Sequence, residues 1–245
     1  MSNNAENVAS SRLAARSATG GYGERSATGG VRGPGVCHSG AYLVREGIAV
    51  SFVTRGFSGR RRDPNENLPP GQTLVPDFPV LSAGPTPELD TADWQLFIRS
   101  ETGIQTWSWD DLQAMDAEDV TADIHCVTHW SKLGTRWRGV PLDALFADVE
   151  SQHDYVMVHS YGGYTTNVAL DELLDGQAWV AYEFDGEPLE PEHGGPARLL
   201  LPHLYFWKSA KWVRGFEMMP TDAPGFWEQN GYHLHGDPWL EQRYW

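Results

Sequence analysis

Cysteine is rare in this 245-residue chain, basic residues are few, and long apolar runs are missing. Two cysteines, Cys37 and Cys126, cannot form the disulfide framework of a small secreted scaffold, so we expect a protein of a reducing compartment, the cytoplasm. No run of 18 apolar residues occurs, which argues against a transmembrane helix. The N-terminus lacks the apolar core of a signal peptide, and the arginines at 60–62 are not followed by one, so we predict no export signal.

The formal net charge of -15 is unevenly distributed along the chain. Residues 1–62 carry nine Arg and three Glu, a net charge of +6, whereas residues 63–245 carry nine basic and 30 acidic residues, a net charge of -21. Such an acidic body disfavours nucleic-acid binding, because its charge repels phosphates. Three of its nine basic residues fall within Lys132–Arg138 and four within Arg198–Arg214. This clustering indicates an anion site, although ion pairs with the abundant carboxylates would also explain it.

The chain divides into a leader and a folded domain. RSATGG occurs twice, at 16–21 and 25–30, within a Gly-, Ser- and Ala-rich region that has little apolar surface to bury. AYLVREGIAVSFV (41–53) is compatible with a strand or a short helix, and a polar linker follows it. We therefore expect residues 1–62 to form a flexible, low-complexity leader and linker, and residues 63–245 to form the domain.

Short strands and short helices alternate irregularly in the domain. Apolar patterns predict strands at 94–99, 155–160, 178–184, 197–202 and 211–219. Ser108 is a predicted N-cap for one helix, and Pro141 is a predicted first-turn residue of another. Asp185 and Gly186 predict a hairpin turn. Because no regular βα repeat is present, an α+β fold with a mixed β-sheet and short helices is favoured over a Rossmann-type fold.

The segment Asp123–Ser131 (DIHCVTHWS) places one cysteine between two histidines. Zinc binding is one interpretation, although the spacing matches no finger or zincin pattern. Its candidate ligands are His125, Cys126, His129, His233 and His235. A neighbouring histidine can instead activate a catalytic thiol. A single thiolate can also ligate a soft redox metal whose other ligands belong to a phosphate-bearing cofactor. A buried, unreactive cysteine is the remaining alternative, and the residues alone leave all four open.

Three ordered stretches carry a family resemblance. They are IHCVTHWS (124–131), VAYEFDGEPLEPEHGGPARLLLP (180–202) and LYFWKSAKWVRG (204–215). On these residues the chain, from about Pro76 onward, resembles the sulfite oxidase family, specifically its molybdopterin-binding domain in the short prokaryotic sulfite oxidase-like oxidoreductases. The resemblance implies a mixed-sheet molybdopterin-binding fold, a mononuclear molybdenum–molybdopterin cofactor and an oxidoreductase activity.

The resemblance also implies roles for individual residues. Cys126 stands where the family has the cysteine that ligates molybdenum, and Tyr182 stands where sulfite oxidases have a tyrosine at the metal centre. The other matched positions are implied cofactor contacts. They are His193 and Arg198 at the pterin, Ser209, Ala210 and Lys211 at its phosphate, and Ser160, Leu81 and Ser82 elsewhere along the cofactor. His125 and His129 are then expected to support the site rather than to ligate the metal.

Departures from the family pattern bear on substrate and partners. Sulfite oxidases follow the ligand cysteine with Ala-Gly-Asn-Arg, where this chain has Val-Thr-His-Trp. An arginine next to the metal is thereby lost, and Arg136 or Arg138 would have to replace it. The immunoglobulin-like dimerisation domain and the HPGG-type haem domain of larger members have no counterpart in the sequence. We therefore expect a monomer without haem that exchanges electrons with a separate acceptor or donor.

These observations predict an enzyme that transfers an oxygen atom, in a two-electron step, to or from a small oxyanion, S-oxide or N-oxide. A non-catalytic molybdopterin-binding or interaction protein on the same fold is the alternative, followed by a zinc-binding module.

Overall fold

The computed structural model describes residues 68–245. The predicted leader at 1–62, with its segment 41–53, and Cys37 lie outside the described residues. Within 68–245, none of the helices has the length and apolar character that a membrane crossing requires.

Eleven strands in the described residues form two mixed β-sheets. The strands are β1 (Thr73–Leu74), β2 (Gln95–Ser100), β3 (Gly103–Ser108), β4 (Glu118–His125), β5 (Trp130–Pro141), β6 (Tyr155–Ser160), β7 (Thr165–Ala169), β8 (Trp179–Phe184), β9 (Glu187–Pro188), β10 (Arg198–Leu200) and β11 (Val213–Met219). In the first sheet β5 pairs with β1, β4 and β8, and β8 also pairs with β9 and β10. The second sheet has the order β3-β2-β11-β6-β7. The β1–β5 and β2–β11 pairs are parallel, which makes both sheets mixed.

The helices are short and lie between strands. They are α1 (Trp109–Ala114), α2 (Leu142–Phe146) and α3 (Phe226–Gln229), with 3-10 turns at Leu170–Glu172 and Pro191–His193. Ser108 caps α1 as predicted, because its hydroxyl accepts from Asp111 N while its own N–H donates to the Asp111 carboxylate. Pro141 is the N-cap of α2 and not a residue of its first turn. The predicted α+β fold with a mixed sheet and short helices is confirmed.

The hairpin predicted at Asp185 and Gly186 joins β8 to β9, and both residues have the positive φ angles (53° and 86°) that a type I′ turn requires. The apolar patterns do not predict β3, β4 or β5. In β5 the inside–outside alternation breaks at a register shift between Arg138 and Gly139, which obscures the period of two. Gly139 is required there because a Cβ atom would lie 2.6 Å from the carbonyl oxygen of Val180.

The first sheet has a separate core on each face. One core contains apolar side chains from both sheets and from α2, including Val180 and Tyr182 of β8. The other contains Cys126, several aromatic side chains of 204–207, and Trp179 and Ala181 of β8. Successive residues of β8 therefore enter different cores, as the period of a strand demands. The thiol lies on the face of the sheet that is turned away from the five-stranded sheet.

Candidate active site

Cys126 lies in the tight turn that joins β4 to β5. Its N–H donates to Trp130 O (2.8 Å), and its carbonyl accepts from His129 N (3.1 Å) and from the Gln72 side chain (3.0 Å). The turn is closed by His129, which adopts a positive φ of 71°. These backbone bonds leave the thiol directed at a cavity, with the residue only 8% exposed.

The two flanking histidines support this turn. His125 Nδ1 lies 2.8 Å from Ser131 Oγ, and His129 Nδ1 lies 3.0 Å from Gly71 O. His235 lies elsewhere and contacts Glu172 with Nε2 (2.7 Å). Among residues 68–245, no group of three or more His, Cys, Asp or Glu side chains is arranged to hold a metal ion. The candidate zinc set therefore does not converge, which corrects that interpretation.

The thiol itself favours its neutral form. Burial raises the pKa of Cys126, and this effect exceeds the opposing effects of Thr128, whose hydroxyl lies 3.1 Å from Sγ, and of the Arg243 charge. A soft metal bound to the sulfur would displace the proton, since the thiolate is the ligating form.

A cavity of about 520 Å³ opens beside the sulfur. Seven of the ten predicted site residues line it, although they come from four separate parts of the chain. These seven are Leu81, Ser82, Cys126, Arg198, Ser209, Ala210 and Lys211. The stretches HGGPAR and KSAK meet at its wall, because Leu199 N donates to Ala210 O (2.9 Å) and Trp212 N to Gly194 O (3.3 Å). The volume lies within the range of cofactor pockets.

Arg198 and Lys211 are the charged residues that line this cavity. The guanidinium of Arg198 is buried and donates to two backbone carbonyls, His193 O (2.7 Å) and Ser209 O (2.6 Å). Neither cation forms an ion pair with a carboxylate of residues 68–245. Burial lowers the pKa of Arg198 to about 9, and burial together with the Arg198 charge lowers the pKa of Lys211 to about 8. A buried guanidinium and a partly buried ammonium, neither paired with a carboxylate, favour an anionic ligand at this wall.

Three predicted site residues do not line the cavity. Ser160 ends β6 next to Gly162 and Gly163, which do line it, and its buried hydroxyl has no partner among the described residues. His193 is turned towards the loop before β2, where its Nε2 lies 3.0 Å from Phe78 O and its ring stacks on Phe78 at 4.0 Å. It therefore holds the loop that carries Leu81 and Ser82, rather than facing the cavity itself.

Tyr182 lies on the opposite face of the first sheet from Cys126. Its ring packs edge-on against Trp109 in the core between the two sheets, with ring centroids 6.1 Å apart. Ala181, one residue earlier, belongs to the core that contains Cys126. This position argues against the predicted role of Tyr182 at the metal, because alternate side chains of a strand point to opposite faces.

The structure instead brings Tyr232 to the cavity, together with Trp130 and Trp227. Burial and the neighbouring ionisable groups of Tyr244 and Cys126 raise the pKa of Tyr232, so its hydroxyl stays protonated at neutral pH. The indole N–H of Trp130 is buried without a partner among residues 68–245. No apolar pattern or catalytic motif around Tyr232 marks it as a site residue in the sequence. Only the tertiary fold places it near the sulfur.

Arg136 and Arg138, the predicted replacements for a metal-proximal arginine, lie on the surface. They bind Asp185 (3.1 Å) and Asp119 (3.0 Å), respectively. The buried guanidinium near Cys126 belongs to Arg243, which donates to Val127 O (2.6 Å). Arg136 and Arg138 therefore do not replace the arginine that sulfite oxidases have shortly after the ligand cysteine.

Comparison with known proteins places this architecture in a family. Residues 83–227 match the family described as "Oxidoreductase molybdopterin binding domain". The chain is 43% identical over 189 residues to "Uncharacterized oxidoreductase YuiH" of Bacillus subtilis, covering 76% of this chain and 96% of that protein. It is 26% identical to "Putative protein-methionine-sulfoxide reductase subunit YedZ1" of Azospira oryzae, over 77% of this chain and 75% of the other. The chain belongs to the sulfite oxidase family of molybdopterin-binding oxidoreductase domains, as its sequence resemblance predicts.

More distant relatives share the fold over part of their length. Mitochondrial sulfite oxidase of Homo sapiens is 24% identical, with 65% of this chain and 35% of that protein covered. The crystal structure of the sulfane dehydrogenase SoxCD from Paracoccus pantotrophus superposes with a TM-score of 0.52 at 20% identity, covering 60% of this chain and 42% of the other. This chain therefore spans about a third of the matched sulfite oxidase, and the structural likeness concerns the fold alone.

The residues at the cavity fit a molybdenum–molybdopterin cofactor. Its metal requires a soft thiolate ligand, which Cys126 offers, and its phosphate requires cations without carboxylate partners, which Arg198 and Lys211 offer. The unpartnered Trp130 N–H at the wall is a further donor for a polar heterocycle. Cys126 would ligate the metal of the cofactor, Arg198 and Lys211 would bind its phosphate, and Trp130 would contact its pterin.

Proposed function

We propose that this protein is a molybdenum–molybdopterin-dependent oxidoreductase that transfers an oxygen atom in a two-electron reaction. One observation carries the proposal: the Cys126 thiol and the two unpaired cations Arg198 and Lys211 line the same cavity. When bound, the cofactor supplies the redox chemistry and the oxygen transfer. The protein holds its metal through Cys126, holds its anionic end through the two cations, and excludes water with an aromatic wall.

A neutral S-oxide or N-oxide suits this cavity better than sulfite does. Arg198 and Lys211 are the charged lining residues, and both are assigned to the cofactor phosphate. No lining cation then remains to balance a doubly charged oxyanion, whose burial without a partner is costly. Several of the residues that line the cavity are aromatic, including Trp227 and Tyr232. Electrons would be exchanged with a separate donor or acceptor.

Tyr232 is the hydrogen-bond donor that this site offers to a substrate oxygen. Its raised pKa keeps the phenol protonated, so the hydroxyl can donate to an oxygen held near Cys126. We expect Tyr232→Phe to lower kcat by about 100-fold with unchanged metal content, since one preorganised donor is removed. Tyr182→Phe is the matched control, and its kcat should equal that of the wild type because Tyr182 lies in the other core.

Metal analysis of the full chain, produced in a host that makes molybdopterin, tests the proposal. We expect about one molybdenum per chain in the wild type and in Cys37→Ser, the matched thiol control, and loss of the metal in Cys126→Ser. A panel of S-oxides, N-oxides and sulfite, assayed with redox dyes, then tests turnover. A wild-type protein without molybdenum would contradict the proposal. Metal without turnover of any of these compounds would favour a non-catalytic cofactor-binding protein on the same fold.

A further inference from the structure

A buried guanidinium lies directly behind the turn that carries Cys126. Arg243 is 7% exposed, and its Nη1 donates to Val127 O (2.6 Å), the carbonyl of the residue that follows the cysteine. Its Nη2 donates to Pro70 O (3.1 Å), in the segment that runs into β1. One side chain thus joins the cysteine turn to the segment before β1, which lies 173 residues before Arg243 in the chain.

The charge of this guanidinium has no direct ion-pair partner among residues 68–245. The Nε of Arg243 is also buried without a partner among them. Its Cζ atom lies 4.9 Å from the centre of the Tyr205 ring, whose face favours a cation. Glu241 is the nearby acid of the same segment. It is exposed, and its Oε1 and Arg243 Nη2 both lie beside Gly71, 3.2 Å and 3.3 Å from the position that a Cβ atom there would take, without forming an ion pair. A buried positive charge is therefore kept beside the sulfur at a desolvation cost.

Arg243 does not line the cavity, so it cannot touch a bound substrate or the pterin. The other interactions of the turn are neutral: Gln72 to Cys126 O, His129 to Gly71 O and Phe206 N to His125 O. If the turn required only rigidity, such neutral bonds would suffice. A charged group at this position has the additional effect of an electrostatic field on the thiolate and its metal.

We propose that Arg243 is a positioning residue that fixes the Cys126 turn and places a buried positive charge behind the metal-bound sulfur, thereby raising the reduction potential of the molybdenum. The inference rests on the proposed function. Reduction adds negative charge to the metal–sulfur unit, and a nearby cation stabilises the more negative state. The charge acts through the sulfur and the protein interior, where screening by salt is weak.

Two variants separate the charge of Arg243 from its hydrogen bonds. Arg243→Lys keeps the charge and one donor, whereas Arg243→Gln is neutral and also keeps a donor for Val127 O. Arg138→Gln, which removes a surface arginine paired with Asp119, is the control. Each full-length protein is produced in a molybdopterin-competent host, its molybdenum content is measured, and its metal potentials are determined by titration of the Mo(V) paramagnetic resonance signal.

We expect Arg243→Gln to shift the potentials to more negative values or to lose the metal, while Arg243→Lys and Arg138→Gln stay close to the wild type. Equal behaviour of the Lys and Gln variants, in either direction, would overturn the inference, because both lose the guanidinium fork and differ only in charge. A wild-type protein that contains no molybdenum is a separate outcome, which contradicts the proposed function and this inference with it.

Discussion

The buried ion pair between Lys208 and Glu228 offers a sharp test of what holds the cavity wall together. Both side chains are fully buried, and Lys208 Nζ lies 2.7 Å from Glu228 Oε1. The ammonium also donates to Asn167 O (2.7 Å), Asn167 Oδ1 (3.0 Å) and Leu234 O (2.6 Å). The carboxylate additionally accepts from Trp207 Nε1 (2.9 Å), and the indole of Trp207 lines the cavity.

Lys208→Met should therefore be strongly destabilising. It leaves a buried carboxylate without its cation, which costs about 3–5 kcal/mol. For a domain of this size, that loss corresponds to a fall in Tm of roughly 6–20 °C. Glu228→Gln should cost less, about 1–3 kcal/mol, because Lys208 keeps three oxygen acceptors and its pKa is already lowered by burial, so it can lose its proton more readily.

Urea denaturation, monitored by tryptophan fluorescence, measures these differences in the free energy of unfolding. The proteins are produced in a host without molybdopterin, so that cofactor binding does not contribute to their stability. Lys132→Met is the control, because Lys132 bonds only Pro76 O at an exposed position, and it should change stability by less than about 1 kcal/mol. A Lys208→Met protein as stable as this control would refute the reasoning, as would a Glu228→Gln protein less stable than Lys208→Met.

Three further predictions follow from charge and packing. Burial and a neighbouring guanidinium lower the pKa of Lys211 to about 8, so inorganic phosphate should bind the cofactor-free protein more weakly as pH rises through 8, and calorimetry should find a flatter profile for Lys211→Arg. Burial raises the pKa of Glu172, but hydrogen bonds from His235 and His203 outweigh it and lower the pKa below its usual value. The carboxylate therefore stabilises the fold above its unfolded-state pKa, and this effect is lost as pH falls through the lower folded-state pKa. Glu172→Gln should lower Tm at pH 6, by an amount that shrinks as the pH is lowered through the acid range. Gly139→Ala places a Cβ 2.6 Å from Val180 O and should cost about 1–3 kcal/mol in a urea titration, whereas Gly103→Ala, with no atom within 4 Å, should be neutral.

The fold class was accessible from the sequence because its signals are local. Alternation of apolar residues predicts β2 and β6, the capping residue Ser108 marks the start of α1, and Asp185 with Gly186 marks a hairpin. Each depends on contacts within a few residues. The central strand β5 escaped these patterns because it is bulged and pairs with β1 and β8, which are distant in sequence, as well as with its neighbour β4. Its alternation reflects those partners and not its own composition.

The family resemblance also located the cysteine and the two cationic stretches, and seven of the ten site residues that it implied line one cavity. The placement of Tyr182 shows the limit of that approach. A one-residue difference in register moves a side chain to the other face of a strand, and a motif contains no information on which face meets the cavity. The segment that follows α3 has no motif of its own, yet it places Tyr232 at the cavity and Arg243 behind the cysteine turn.

The sequence by itself determined the chemistry available to this domain: one thiol in a stretch that resembles its family, few cations, and most of those cations gathered in two short stretches. These are properties of residue type and order. Only the tertiary structure decided which groups act together. Burial on one face of a sheet places Cys126, Arg198, Lys211 and Tyr232 at one cavity and Tyr182 in the other core. It also leaves Arg243 behind the cysteine turn as a buried charge with no direct ion pair among the described residues. Distance and solvent exclusion, which set the strength of every interaction between these groups, exist only once the chain has folded.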